Sequence, residues 1–235
     1  MKIKLYFLLF LVIFQQIFAQ SDYYWINGTG DWSDLNHWRI GSSTGPQATI
    51  IPSRYDNVFI TNSSGFTATM GIISGSSPIC KNFTVQDGFT GNFRLTTGIS
   101  IYGNVQWRKG AYLSENTGMT LMYDNTQITP NLIDIPSDIY WINNTSYDDY
   151  GGWGYTKSAY VYLTGNGKWK LINDLGGDHF DMALTIQDNA SLDTNSKNIT
   201  VKNFNYNSST VSDFGNIVIN TTFANINDKV NLSNS

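Results

Sequence analysis

Cysteine is almost missing from this chain. Cys80 is the single one in 235 residues, so no internal disulfide can form. It sits in Pro78-Ile79-Cys80-Lys81-Asn82-Phe83, where a strand begins, and reads as a small core residue rather than a nucleophile. Glutamate is equally scarce, Glu115 being the only one. Charged side chains make up 14% of the chain, while Asn, Ser, Thr and Gly abound, a balance that disfavours helices and favours turns. The few lysines and arginines are scattered and the net charge is −4, which excludes the basic footprint of a nucleic-acid binder. Histidine occurs only at positions 37 and 179, too sparsely to complete a His/Cys zinc set. Beyond the first twenty residues no run is apolar enough to span a bilayer.

The first twenty residues are a different matter. Lys2 and Lys4 precede the apolar run Leu5 to Phe14, and Ile17-Phe18-Ala19-Gln20 supplies a small residue near a cut, so residues 1–20 read as a secretory signal peptide. Losing Lys2 and Lys4 moves the formal charge from −4 to −6. The mature chain is expected outside the cell, secreted or at the surface, with no membrane span.

Past the leader the chain is a succession of short alternating runs: Val58-Phe59-Ile60, Phe83-Thr84-Val85, Ile99-Ser100-Ile101, Met119-Thr120-Leu121, Tyr160-Val161-Tyr162-Leu163, Leu184-Thr185-Ile186, Ile199-Thr200-Val201 and Ile217-Val218-Ile219. Period-two alternation closed by Gly, Asn or Asp is the signature of β-strands. Segments also repeat. Phe83-Thr84-Val85-Gln86-Asp87 matches Leu184-Thr185-Ile186-Gln187-Asp188, Gly103-Asn104-Val105-Gln106-Trp107 matches Gly165-Asn166-Gly167-Lys168-Trp169, and Lys81-Asn82-Phe83 matches Lys202-Asn203-Phe204. Short strand-plus-turn units recurring in this way predict an all-β protein, a parallel β-helix or β-solenoid of stacked coils, with a β-sandwich as the alternative. Residues 21–60 form a tryptophan-rich amino-terminal cap. Residues 61–235 form the solenoid, which carries an inserted loop near 126–156 and ends mid-pattern, as if incomplete at its carboxyl end.

Three tryptophans, Trp25, Trp32 and Trp38, crowd the segment after the leader. They suit either the buried end of a β-structure or a stacking surface for sugar. In the same segment Asp31 and Asp34, with Asn36 and His37 close by, are the candidate ligands for a hard cation such as Ca²⁺. They compete with a plainer role as turn caps. The inserted loop gathers Tyr140, Trp141, Tyr147, Asp148, Asp149, Tyr150, Trp153 and Tyr155, a candidate surface on which sugar rings stack while acids take hydroxyls. Adjacent Asp148 and Asp149 would point to opposite faces of a strand and are poor candidates for a glycosidase pair. Asp178-His179-Asp181 could pair a base with an orienting acid, but no nucleophile accompanies them. No catalytic residue is assigned, and no cofactor is expected beyond the Ca²⁺ candidate.

The run Tyr24-Trp25-Ile26-Asn27-Gly28-Thr29-Gly30-Asp31-Trp32-Ser33-Asp34-Leu35-Asn36-His37-Trp38, then Pro52 and Asp56-Asn57-Val58-Phe59-Ile60, resembles the start of large secreted adhesin-like proteins of Bacteroidetes. Ile79 to Val85, Gly165 to Leu171 and Leu192-Asp193-Thr194-Asn195 resemble later parts of the same pattern. The resemblance implies a β-rich surface or released protein engaged in adhesion, often closed by a sorting domain for type IX secretion; no such domain is expected within these 235 residues. It carries over no catalytic residue. The expected function is therefore non-enzymatic, an adhesin-like module touching an extracellular polysaccharide or surface glycan. The alternatives are a polysaccharide lyase or glycoside hydrolase on a β-helix, and a structural spacer without ligand.

Overall fold

A computed structural model describes residues 20–114, 117–124, 127–136, 159–176, 182–201, 203–208, 217–219 and 224–226. The expected signal peptide, apart from Gln20, and the expected inserted loop, apart from residues 127–136, lie outside the described residues. The protein is all-β. Its only described helical segments are two 3-10 turns, Leu35–His37 and Asn62–Ser64. Among the described residues no helix is long and apolar enough to cross a membrane.

The strands form stacked parallel sheets visited in rotation. The first sheet runs from Trp38–Ile40 through Asp22–Trp25, Asn57–Ile60, Phe83–Val85, Val105–Gln106, Asn131–Asp134 and Lys168–Leu171 to Ser191–Asp193. From Asn57–Ile60, Phe83–Val85 and Val105–Gln106 the chain passes to a second sheet (Gly71–Ser74, Phe93–Leu95 and Ala111–Leu113, with Gly30–Asp31 as its first strand) and then to a third. The third runs from Ile79–Cys80 and Ile99–Ile101 through Gly118–Leu121, Ala159–Leu163 and Met182–Asp188 to Asn203–Ser208 and Ala224–Ile226. Later in the chain a three-stranded sheet of Leu175–Gly176, Ile199–Val201 and Ile217–Ile219 takes the second sheet's place in that rotation. Among the described residues, every pairing between these strands is parallel except one, Asp22–Trp25 with Trp38–Ile40. This is the coiled stack expected of a β-solenoid.

Alternation explains why these residues form such coils. Tyr23, Val58, Phe83, Val105, Ile133 and Leu171 stand in register on successive strands of the first sheet, all pointing inward and all buried. Cys80 and Ile101 continue the same logic on the third sheet. Burial pushes the Cys80 thiol well above its ordinary pKa, so it stays protonated and inert. Neighbouring coils are aligned with insertions taken up at corners, as Val58 to Phe83 is 25 residues and Phe83 to Val105 is 22. The matched pentads mark corner-and-strand chemistry rather than one position in the coil: Phe83 to Val85 lies on the first sheet and Leu184 to Ile186 on the third.

The tryptophan-rich segment closes the amino end, and its indoles are interior. Trp25, Trp32 and Trp38 are all buried, and Trp38 meets the other two edge-on at 4.9 and 4.8 Å between ring centres. His37 stacks on Trp25 at 4.7 Å. Gly30 is required here because a β-carbon on it would fall 1.9 Å from the His37 ring nitrogen Nε2. The antiparallel strand Trp38–Ile40 covers the outer edge of the first sheet, and Gln47 bridges to Arg39 beyond it. That edge is thereby removed from the row of open donors and acceptors a parallel stack would otherwise expose.

Candidate functional site

The first sheet turns two rows of side chains outward. At one outward position Asp22, Asn57, Asn82, Asn104 and Leu132 follow each other coil by coil; two residues further along each strand come Tyr24, Phe59, Thr84, Gln106, Asp134 and Ile172. Between these rows lies a groove of about 370 Å³ lined from Asn57 and Phe59 at one end to Leu132, Asp134 and Ile172 at the other. That volume is at the lower end of the range for small-ligand clefts, roughly 300–1,000 Å³.

The first row is a hydrogen-bonded ladder. Asn57 Nδ2 donates to Asp22 Oδ1 (2.7 Å), and Asn82 Nδ2 donates to Asn57 Oδ1 (2.6 Å). Asn82 Oδ1 accepts the backbone N–H of Asn104, and Asn104 Oδ1 accepts that of Leu132, both at 2.7 Å. Each Asn precedes the first inward residue of its strand, so the side-chain amides of Asn57 and Asn82 reach the coil on either side and that of Asn104 reaches the next coil. Gly103 belongs to this arrangement, since a β-carbon there would fall 2.2 Å from Asn82 Oδ1.

The second row begins with aromatics. Tyr24 and Phe59, both half-buried, stack with centres 4.9 Å apart and planes 15° from parallel. Thr84 and Gln106 come next, then the carboxylate of Asp134, which Arg108 Nη2 holds at 2.8 Å and Asn173 Nδ2 at 2.5 Å. The same guanidinium reaches Asp87 (Nε to Oδ1, 2.6 Å) and holds its carboxyl below the usual value of 3.8. Charge is therefore paired within the wall of the groove. At the nearby corner Lys81 Nζ pairs with Asp124, and Arg54 lies over the Tyr55 and Tyr102 rings.

Asp31 and Asp34, the candidate cation ligands, are engaged in turns. Asp31 Oδ1 accepts the Ser33 amide (2.9 Å) and hydroxyl (2.6 Å), and Oδ2 accepts the Ser74 hydroxyl (3.2 Å). These bonds lower the Asp31 pKa, the Ser33 hydroxyl contributing most. Asp34 caps the 3-10 turn by accepting the Asn36 amide at 2.9 Å. Among the described residues no group of three or more His, Cys, Asp or Glu is placed to hold a metal ion. The candidate stacking residues Tyr140, Trp141, Tyr147, Asp148, Asp149, Tyr150, Trp153 and Tyr155 lie outside the described residues, as do Asp178, His179 and Asp181.

No family model, curated protein or solved structure matches this chain.

The groove itself is not apparent from the sequence, although a signal for it is there. Asn57-Val58-Phe59-Ile60, Asn82-Phe83-Thr84-Val85 and Asn104-Val105-Gln106-Trp107 share the pattern Asn, apolar, any residue, apolar, at coil spacing. Read as turn formers, the asparagines hide that pattern; read as the first outward position of each strand, they draw one wall of the groove.

Proposed function

We propose that the chain is a non-enzymatic, exported module of an adhesin-like surface or extracellular protein, and that it contacts glycans through the groove on its first sheet. The observation that supports this reading is the stacked Tyr24–Phe59 pair set beside a row of amides. A sugar ring offers an apolar C–H face, which suits an aromatic platform, and a rim of hydroxyls, which suits amide donors and acceptors. A non-enzymatic role fits the state of Asp134: its carboxylate is held by Arg108 and Asn173, whereas glycoside cleavage calls for an acid and a second carboxylate flanking the bond. One shallow groove binds weakly, and an adhesive protein gains strength by presenting many such contacts at once.

The test is co-sedimentation of the protein with insoluble polysaccharides and with whole cells, comparing the native chain with Phe59→Ala. Selective retention of the native chain is the expected result. Equal retention of the two would remove the groove from the adhesive surface.

A further inference from the structure

We infer that the groove takes an extended, uncharged polysaccharide lying across the coils, along the solenoid axis, with about one sugar ring to a coil. This rests on the glycan-contact reading above and adds the ligand's charge, shape and direction.

Shape comes from the register. The lining residues take two outward positions on each of four successive strands of the first sheet, from Asn57 and Phe59 to Leu132 and Asp134, and end at Ile172, just past the fifth. With strands about 4.8 Å apart and about 3.3 Å of rise per residue, the slot is roughly 19 Å long and roughly 7 Å across. A flat, ribbon-like chain fits those proportions when it runs across the strands. The strand spacing is also close to the advance per ring of an extended β-linked sugar chain, so one kind of contact can recur from coil to coil.

Charge comes from the pairing. Asp134 is held by the guanidinium that Arg108 shares with Asp87, and Asp22 accepts from Asn57 at the slot's outer end. A polyanion meets no unpaired cation among the described groove residues, and a polycation meets a carboxylate already occupied. Phe59 offers a stacking surface at one end and Leu132, 40% exposed, an aliphatic one at the other, while Thr84 and Gln106 supply polar contacts between them. Phe59 and Leu132 sit three coil steps apart, so a ligand touching both needs about four rings.

The experiment is calorimetric titration of the full chain with β-1,4-linked gluco-, manno- and xylo-oligosaccharides of two to six rings. Polygalacturonate and chitosan serve as charged counterparts. At least one neutral series is expected to bind, with affinity rising roughly tenfold or more from two rings to four or five, then levelling, and with little dependence on salt. Leu132→Ser, at an exposed position, and Thr84→Trp, which fills the slot, should each weaken the hexamer by about tenfold while leaving the circular dichroism spectrum unchanged. Equal affinity for dimer and hexamer, salt-sensitive preference for a charged polymer, or indifference to both substitutions would overturn the inference. If no soluble chain binds yet Phe59-dependent retention on cells persists, the axial polysaccharide is wrong and glycan contact stands. If Phe59→Ala also changes nothing on cells, both fall.

Discussion

Replacing Asn82 with alanine tests whether the asparagine ladder stabilises the stack. The side chain makes two bonds that no neighbour can replace: its Nδ2 donates to Asn57 at 2.6 Å, and its Oδ1 accepts the Asn104 amide at 2.7 Å. Each such bond contributes a net 0.5–1.5 kcal/mol or so, giving a loss of about 1–3 kcal/mol. The cost stays below that of a fully buried pair because Asn82 is half-buried and Asn104 exposed, so water can take part of the vacated bonding. Urea unfolding at neutral pH, followed by tryptophan fluorescence, reads the change as a lower midpoint at constant slope. Asn82→Asp sharpens the test. It keeps an acceptor for Asn104 but sets a carboxylate against Asn57 Oδ1, so it should be no more stable than the alanine variant. A loss under about 0.5 kcal/mol for Asn82→Ala, with the slope unchanged, would refute the view that the ladder ties the coils together.

Gly30→Ala should cost about 1–3 kcal/mol by driving the new methyl into the His37 ring, and near-ultraviolet circular dichroism should register the disturbed Trp25 stack. Trp107 Nε1 donates to Ala111 O at 2.8 Å, whereas Trp169 Nε1 is buried without a partner among the described residues. Trp107→Phe should therefore be the more destabilising of the two Trp→Phe changes by about 1 kcal/mol, measured by thermal unfolding of both variants. Asp31, Asp174 and Asp188 are held below the usual 3.8 chiefly by hydrogen bonds from Ser33, Asn198 and Thr164 respectively. A depressed folded-state pKa adds stability that is whole well above 3.8 and is lost as pH falls through the lowered values. Melting temperature should accordingly drop on acidification below pH 4 or so, and less steeply in the triple Asp→Asn variant.

Much of the coil was legible because alternation is a local property. Ile99-Ser100-Ile101 and Tyr160-Val161-Tyr162-Leu163 carry their strand, and the face they bury, in three to five residues. The tryptophan cluster was legible only halfway. Its composition fits an interior cap and an outward platform equally, and the choice depends on Trp38 pairing back onto Trp25 across the hairpin. The groove was harder still, since its walls come from positions 22 and 25 residues apart whose relation appears only once strand register is known. The repeated pentads pointed correctly to a stack, yet they do not report which face a segment occupies. A corner leading into an alternating strand has the same chemistry on the first sheet at Phe83 as on the third at Leu184.

The hairpin that closes the amino end gives the molecule a graded length. Its contacts run among residues 22–40, to the strand Asn57–Ile60 and on to Ser64 and the strand Gly71–Ser74, and the later coils touch chiefly their immediate neighbours. A coil duplicated beyond Ser74 would leave the cap intact and move everything after it outward by one strand spacing, about 4.8 Å. Reach is thus a variable that gene duplication can change in small equal increments, and the outward rows of the first sheet lengthen with it.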